Sequence, residues 1–330
     1  MSGSELDVVG IGNAIVDVLA PGGDDFLAER GLVKGTMALV DAAAAEELYA
    51  GMGPGLEVSG GSVANSMAGF ASLGGRGAYI GKVKDDQLGR VFSHDIRAAG
   101  VRFETEMALD GAATARCLII VTPDAQRTMQ TYLGVSVELG PEDIEPALIE
   151  TAAVTYLEGY LYDPPRAKEA FVKAAEIAHG AGRVVALSLS DPFCVDRHRD
   201  AFRDLVAGHV DILFANEDEI TALYQVASFD DALQKVHAEC EIAALTRSAK
   251  GSVIVADDEV HVVDAEPVDA VIDTTGAGDL YAAGFLYGYT HGLGLARAGR
   301  IGAIAAAEII SHMGARPETS LAERVKAALG

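Results

Sequence analysis

Asp273-Thr274-Thr275-Gly276-Ala277-Gly278-Asp279 runs straight into the apolar, helix-patterned stretch Leu280 to Tyr289. Two glycines with only alanine between them let backbone N–H groups approach an anion closely. A helix behind them adds unsatisfied first-turn amides and the positive end of its dipole. Such donors suit a phosphoryl group in transit, whose charge spreads over its oxygens. Asp279 stands at the mouth of this cradle, where a carboxylate can take a proton from an attacking hydroxyl. The same residue also reads as an ordinary cap or first-turn aspartate.

Upstream, strand-like and helix-like patterns alternate. Val8 to Gly12, Val184 to Leu189, Val210 to Ala215, Ile242 to Thr246 and Ser252 to Val255 read as strands. Pro165 to His179 and Asp230 to Glu239 read as helices between them. This alternation predicts an α/β fold with a mostly parallel central sheet and helices on both faces. Thr114 to Leu133 differs: strand-like Ala115 to Thr122, turn chemistry at Pro123-Asp124-Ala125-Gln126, and a return over Arg127 to Tyr132. That is a hairpin suited to a small flap. No interdomain linker stands out, so one domain of 330 residues carrying an inserted lid, about 13–40 and 108–136, is expected.

Composition narrows the partners. Half of the residues are hydrophobic, enough for a substantial core. No apolar run of about 18 residues is present, and the polar, acidic start does not read as a signal peptide, so no membrane contact and a cytoplasmic location are expected. The net charge of −24 makes nucleic acid a poor partner. The same field repels ATP at long range, so a nucleotide site must supply its own local positive potential. Cys117, Cys194 and Cys240 are scattered and in no CxxC pair, which predicts neither a disulfide framework nor a zinc site.

A second glycine element, Gly60-Gly61-Ser62-Val63-Ala64-Asn65, follows a possible strand and opens a helix through Met67, Phe70 and Leu73. Its glycines admit a substrate to the backbone, and Asn65 offers both donor and acceptor to hydroxyls. A plain strand-to-helix turn capped by Ser62 is the competing reading. A third pattern, Gly10-x-Gly12-x-x-Ile15, lacks the last glycine of a dinucleotide fingerprint.

The early GG-x-x-AN and late D-T-x-GAGD elements, in this order, resemble the two signatures of the ribokinase-like (PfkB-type) carbohydrate and nucleoside kinase family. The resemblance covers nearly the whole chain. Within that family it is closest to the adenosine kinases, on Gly10 to Asp17, Leu187 to Phe193, Asp211 to Glu219 and Ala296 to Gly299. It implies a three-layer ribokinase-like sandwich with a small β lid, and direct transfer of the γ-phosphoryl group of ATP to a hydroxyl. Asp279 would be the base, with Gly276, Ala277 and Gly278 as the cradle and Arg127 as a lid arginine, against the alternative of a surface arginine.

The acceptor, adenosine by preference, would meet Asn13, Asp17, Gly61 and Asn65, with Tyr160 and Phe193 around the base. A bidentate carboxylate at Asp17 suits a cis-diol, each hydroxyl donating to its own oxygen. Asn216, Thr246, Ser248, Gly251, Thr275, Ala305 and Ala306 would line the nucleotide. Ser248 stands where the family loop has glycine, and the two alanines equally suit close helix packing. Asn216 and Glu219 match an Asn-x-x-Glu element associated with Mg²⁺ through water; an acidic solvated turn is the other reading. The family also implies K⁺ in some members and a mild preference for monomer over dimer. A sugar such as ribose or fructose, another nucleoside, or a non-catalytic ligand-binding role on the same fold are the competing expectations.

Overall fold

Consecutive residues of the central strands leave for opposite cores. Val185 and Leu187 join one cluster while Ala186 joins the other, and Leu213 and Ala215 part in the same way from Ile212 and Phe214. Both faces of these strands are therefore buried, which is why they read as continuous apolar runs rather than alternating ones. The structure, a computed structural model, describes residues 5–330 except 125, 163 and 258. Ala125 of the expected hairpin turn thus lies outside the described residues.

The strands are β1 (Leu6–Ile11), β2 (Ile15–Pro21), β3 (Met37–Leu39), β4 (Leu56–Gly60), β5 (Gly77–Ile80), β6 (Arg102–Phe103) and β7 (Ala115–Val121). They continue with β8 (Arg127–Tyr132), β9 (Ala152–Glu158), β10 (Val184–Ser188), β11 (Ile212–Asn216), β12 (Ile242–Thr246), β13 (Ser252–Ala256) and β14 (Glu259–Val263). Nine form one sheet in the order β14-β13-β12-β11-β10-β9-β1-β5-β6. From β12 to β6 every pairing is parallel; β13 and β14 close the other edge antiparallel. Helices Pro165–Gly180 and Pro192–His209 pack on one face, Ser62–Ser72 and Ala277–Thr290 on the other.

Five strands form a second sheet, β3-β8-β7-β2-β4. The β7–β8 hairpin is antiparallel with Cys117 opposite Thr131, and β2 runs parallel to β7 with Asp17 beside Cys117. This sheet takes in β4, which lies beyond the two segments expected for the lid. Leu-Glu-Val-Ser-Gly is the possible strand read ahead of the Gly60-Gly61 turn, and its pairing with β2 places it in this sheet. Among the described residues no helix is long and apolar enough to cross a membrane.

Candidate active site

The C-terminal ends of β1, β9, β10, β11 and β12 and the loops beyond them bring Asn13, Glu158, Tyr160, Asn216 and Thr246 to one edge of the large sheet, where open α/β sheets take their ligands. Two helix N-termini converge there. Ser62 Oγ donates to Asp279 Oδ1 at 2.6 Å and Asn65 Nδ2 donates to Oδ2 at 3.1 Å. Close helix packing allows this: a Cβ on Gly69 would lie 2.3 Å from Leu280 Cδ1.

Gly276 caps the second helix at φ 79°, a left-handed value that favours glycine. Ala277 N is taken by Thr274 O and Leu280 N by Gly276 O, which leaves Gly278 and Asp279 N–H without partners among the described residues. Gly278 is exposed, and a Cβ added there would meet open space. The cradle therefore faces out of the fold, with free donors toward an anion.

Asp273 anchors the loop. Its Oδ1 accepts from Thr275 N at 3.0 Å and Thr275 Oγ1 at 2.7 Å, and its Oδ2 from Gly314 N at 3.1 Å. Arg127 Nη1 on β8 forms an ion pair with the same Oδ2, both side chains being buried. Arg127 is thus not a surface arginine, and it joins the second sheet to the phosphate-type loop. Burial raises Asp273, yet the bonds from Thr275 and Gly314 and the Arg127 charge hold it below the ordinary carboxylate value.

Asp17 is the opposite case. It lies against Gly60, where a Cβ would come within 2.5 Å of its Cγ. Burial pushes it up to about 6, Asp279 adds to this, and Arg127 and Arg316 oppose it; no hydrogen bond among the described residues contributes. A half-buried carboxylate without donors has both oxygens open to accept from hydroxyls. Gly61, at φ 101°, lies so close to Asn13 that a Cβ would be 2.2 Å from its carbonyl oxygen. Asn65 keeps one buried acceptor, Oδ1, unpartnered.

Asn13 is placed behind these groups rather than among them. It is 1% exposed, its N and Nδ2 donate to Glu158 Oε1 at 3.1 and 2.8 Å, and its Oδ1 accepts from Ser136 Oγ at 2.9 Å. Tyr160 and Phe193 stand at the rim, 38% and 75% exposed.

Among the residues expected to line a nucleotide, Asn216 pairs with Thr246 across β11 and β12. Asn216 and Glu219 form a reciprocal capping box: Glu219 N reaches Asn216 Oδ1 at 2.8 Å, Asn216 N reaches Glu219 Oε2 at 2.9 Å and Asn216 Nδ2 reaches Oε1 at 2.6 Å. Burial raises Glu219 to about 7, with Asp191, Asp218 and Asp279 adding repulsion. Ser248 has φ 50°, so the loop keeps the left-handed turn that glycine would make. Gly251, at φ 82°, is pinned by Val263 O, 2.0 Å from a Cβ placed there. Ala305 is fully buried among Leu73, Leu280 and Ile301, so it packs helices; Ala306 is partly exposed.

Two residues escaped the sequence reading. Glu158, 1% exposed, also accepts from Val63 N at 2.9 Å, and burial pushes it up to about 7. Its only local signal is a charge ending the apolar run Ala152 to Leu157. Arg316 acts electrostatically on both Asp17 and Asp279 from a loop near the C-terminus, where no motif marks it. Burial raises Asp279 itself to about 6, against the bonds from Ser62 and Asn65 and the Arg316 charge. That is where a base for near-neutral pH belongs.

The pfkB family carbohydrate kinase model matches residues 55–321. The solved structure of an adenosine kinase from Sinorhizobium meliloti is 54% identical, with a TM-score of 0.90, covering 98% of this chain and 100% of that one. A probable sugar kinase protein from Rhizobium etli CFN 42 is 51% identical, with a TM-score of 0.91 over 98% of this chain and 99% of that one. An ATP-dependent ribose-1-phosphate kinase from Halopiger xanaduensis is 32% identical over 233 residues, 69% of this chain and 72% of that protein.

Proposed function

Because the chain belongs to the pfkB family of carbohydrate kinases, we propose that it transfers the γ-phosphoryl group of ATP to the 5′-hydroxyl of adenosine, yielding AMP and ADP. Phosphotransfer to a sugar or nucleoside comes with the family; the acceptor is the finer step. In this reading Asp17, Gly61 and Asn65 hold the two ribose hydroxyls, and Asp279 takes the 5′-hydroxyl proton as the oxygen attacks phosphorus in line. The amides of Gly278 and Asp279 receive the charge on the transferring group. Arg127 offers its fork to the phosphates.

The observation that carries the preference for a nucleoside over a free sugar is the exposure of two aromatic residues just past the ends of β9 and β10, Tyr160 at 38% and Phe193 at 75%. A flat base between two aromatic faces would cover apolar area that a sugar leaves in water. The 54% identical adenosine kinase structure supports the same choice. The second reading, a sugar acceptor, is favoured by the 51% identical probable sugar kinase, since an unpaired carboxylate against Gly60 suits any vicinal diol.

Mg²⁺ belongs to this proposal as the partner of ATP. No cluster of three or more His, Cys, Asp or Glu side chains is present among the described residues, so the chain fits an ion carried mainly by phosphate oxygens. Glu219 fits a contribution through water, because a cation would relieve the repulsion it feels from Asp191, Asp218 and Asp279. Bound there, Mg²⁺ supplies charge neutralisation of the phosphates. Closure of the second sheet over the cleft would exclude water and suppress ATP hydrolysis.

Purified enzyme with ATP and a panel of adenosine, other nucleosides, ribose, fructose and ribose 1-phosphate tests the acceptor. The expected result is a kcat/KM for adenosine at least about 100-fold above each sugar, as apolar and polar contacts to a base together allow. Preferred turnover of a sugar would overturn the nucleoside reading.

A further inference from the structure

Three consecutive residues between helices Leu295–Ile309 and Leu321–Leu329 reach both halves of the site. Gly314 N donates to Asp273, the anchor of the phosphate-side loop, at 3.1 Å. Ala315 packs on Gly276, where a Cβ would lie 3.0 Å from its own. Arg316 turns toward the acceptor side. Its Nε and Nη2 donate to Ser59 O at 3.0 and 2.6 Å, Nη2 also to Ser59 Oγ at 2.8 Å, and Nη1 to Ala64 O at 2.7 Å. Ser59 immediately precedes the Gly60-Gly61 turn and Ala64 immediately precedes Asn65, so the fork spans the acceptor element from both ends.

The loop that presents these residues is fastened beneath. Glu308 is fully buried, and its Oε1 accepts from Glu318 N, Thr319 N and Thr319 Oγ1 at 3.1, 3.0 and 2.9 Å. His312 Nε2 lies 3.1 Å from Oε2 of the same carboxylate. Arg316 is therefore a fixed cation rather than a mobile surface one. The charges it faces are Asp95, Asp17 and Asp279, with Tyr79 among them. Asp95 is itself committed, accepting from Ser59 N and Oγ at 2.8 and 2.6 Å.

Around Asp279 the remaining ionisable groups are Asp17 on β2, Glu158 on β9, Glu219, Tyr156 and Tyr160, each of which feels its charge. All of these are acidic groups. Arg127 acts on Asp17 and Asp273, while Arg316 is the cation that acts on Asp279 among the described residues. A base set among carboxylates needs such a charge to stay ionised at neutral pH.

We propose that Arg316 is a positioning residue of the phosphotransfer reaction, locking the acceptor turn to the phosphate loop and setting a fixed positive charge against the carboxylates of the site. The proposal rests on Asp279 being the base. Two separable consequences follow from the fork and from the charge. Losing both disturbs acceptor geometry and raises the proton affinity of Asp279. Losing only the fork disturbs the geometry and leaves the ionisation in place.

The test is the pH dependence of kcat and kcat/KM from about pH 5 to about 9 for wild type, Arg316→Gln and Arg316→Lys, with ATP and the best acceptor of the panel. Arg316→Gln is expected to move the acid limb upward by about 1 pH unit and so to lower kcat at pH 7 about twofold. Arg316→Lys is expected to keep the limb and to raise the acceptor KM several-fold. A folded Arg316→Gln enzyme whose acid limb stays in place overturns the proposal. Where Arg316→Gln does not fold, Arg316→Lys decides: a raised acceptor KM on an unmoved limb supports it, and a wild-type KM overturns it. Failure of wild type itself to phosphorylate any acceptor strikes the kinase reading and is seen before a variant is made.

Discussion

Ser62 Oγ donates to Asp279 Oδ1 at 2.6 Å across a sequence separation of 217 residues. With Asn65 on the other oxygen, the carboxylate is oriented by the helix that begins the acceptor element. Asp279 and the element Gly61 to Asn65 are thus one assembly, held by two packed helices rather than by a loop. Such a carboxylate needs little reorganisation when a hydroxyl arrives. Asn65 donates its amide to Asp279, while its Oδ1 is buried without a hydrogen-bond partner among the described residues.

Replacement of Asp279 by Asn removes the proton acceptor while keeping the size of the side chain. The expected outcome is a kcat lower by roughly 10²–10⁴-fold, with the KM for ATP little changed. In wild type, activity should fall as the pH drops below about 6, because the base is then protonated. Steady-state kinetics against pH checks both; near-normal turnover by the variant would leave Asp279 as a helix-terminal residue only.

Asp17 carries a stability cost with a definite sign. Its folded value, about 6, exceeds the ordinary 3.8, so between those values the folded chain binds more protons than the unfolded one. Stability from this group therefore rises as the pH falls from about 6 toward 4 and is lost again as the pH rises through 6. Asp17→Asn removes the unpaired charge. It is expected to raise Tm at pH 7.5 by about 2 °C, to have no such effect near pH 4, and to weaken acceptor binding sharply. A lower Tm at pH 7.5, read by scanning calorimetry, would show that Asp17 has partners the folded chain needs.

Arg127, on β8, and Asp273, in the loop before helix Ala277–Thr290, are buried partners, so breaking the pair leaves a charge without compensation. Arg127→Ala is expected to lower Tm by several degrees. If the guanidinium also serves the phosphates, kcat should fall about 10–100-fold and the KM for ATP should rise. A loss of Tm with kinetic constants unchanged would make Arg127 a clasp between the sheets and nothing more.

The sequence displayed those parts of the fold whose cause is local. β12 spans Ile242–Thr246 as its apolar run predicts, and helix Pro165–Gly180 ends one residue past its expected limit. The β7–β8 hairpin and the glycine cradle were likewise legible, because turn chemistry and glycine pairs act over a few residues. β3 was not, and β4 showed only as a possible strand whose sheet was unknown, since three- and five-residue edge strands of mixed polarity are specified by their neighbours. Glu158 and Arg316 were hidden for a related reason. Their partners lie 145 residues away at Asn13 and 257 residues away at Ser59. Nothing periodic marks a lone charge whose meaning is set by such distant contacts. Ala305 was read in two ways, and only its burial separates helix packing from a ligand slot.

Ser248 gives the finest test of the nucleotide loop. It holds φ 50° at the start of the short 3₁₀ turn Ser248–Lys250, and the chain closes behind it through Gly251 N to Ser248 O at 3.1 Å. A residue with a Cβ pays about 1 kcal/mol for a left-handed conformation, so Ser248→Gly removes strain from the folded state while loosening the unfolded chain. These effects nearly cancel in stability. The backbone path stays the same, and the KM for ATP should remain within about twofold of wild type, provided that the loop binds nucleotide through its main chain. Ser248→Val is different, because a β-branched side chain resists this conformation. It is expected to reduce Tm and to raise the KM for ATP by about tenfold as the loop shifts. An unchanged KM in Ser248→Val, with the loss of Tm present, would place the nucleotide elsewhere than on this turn.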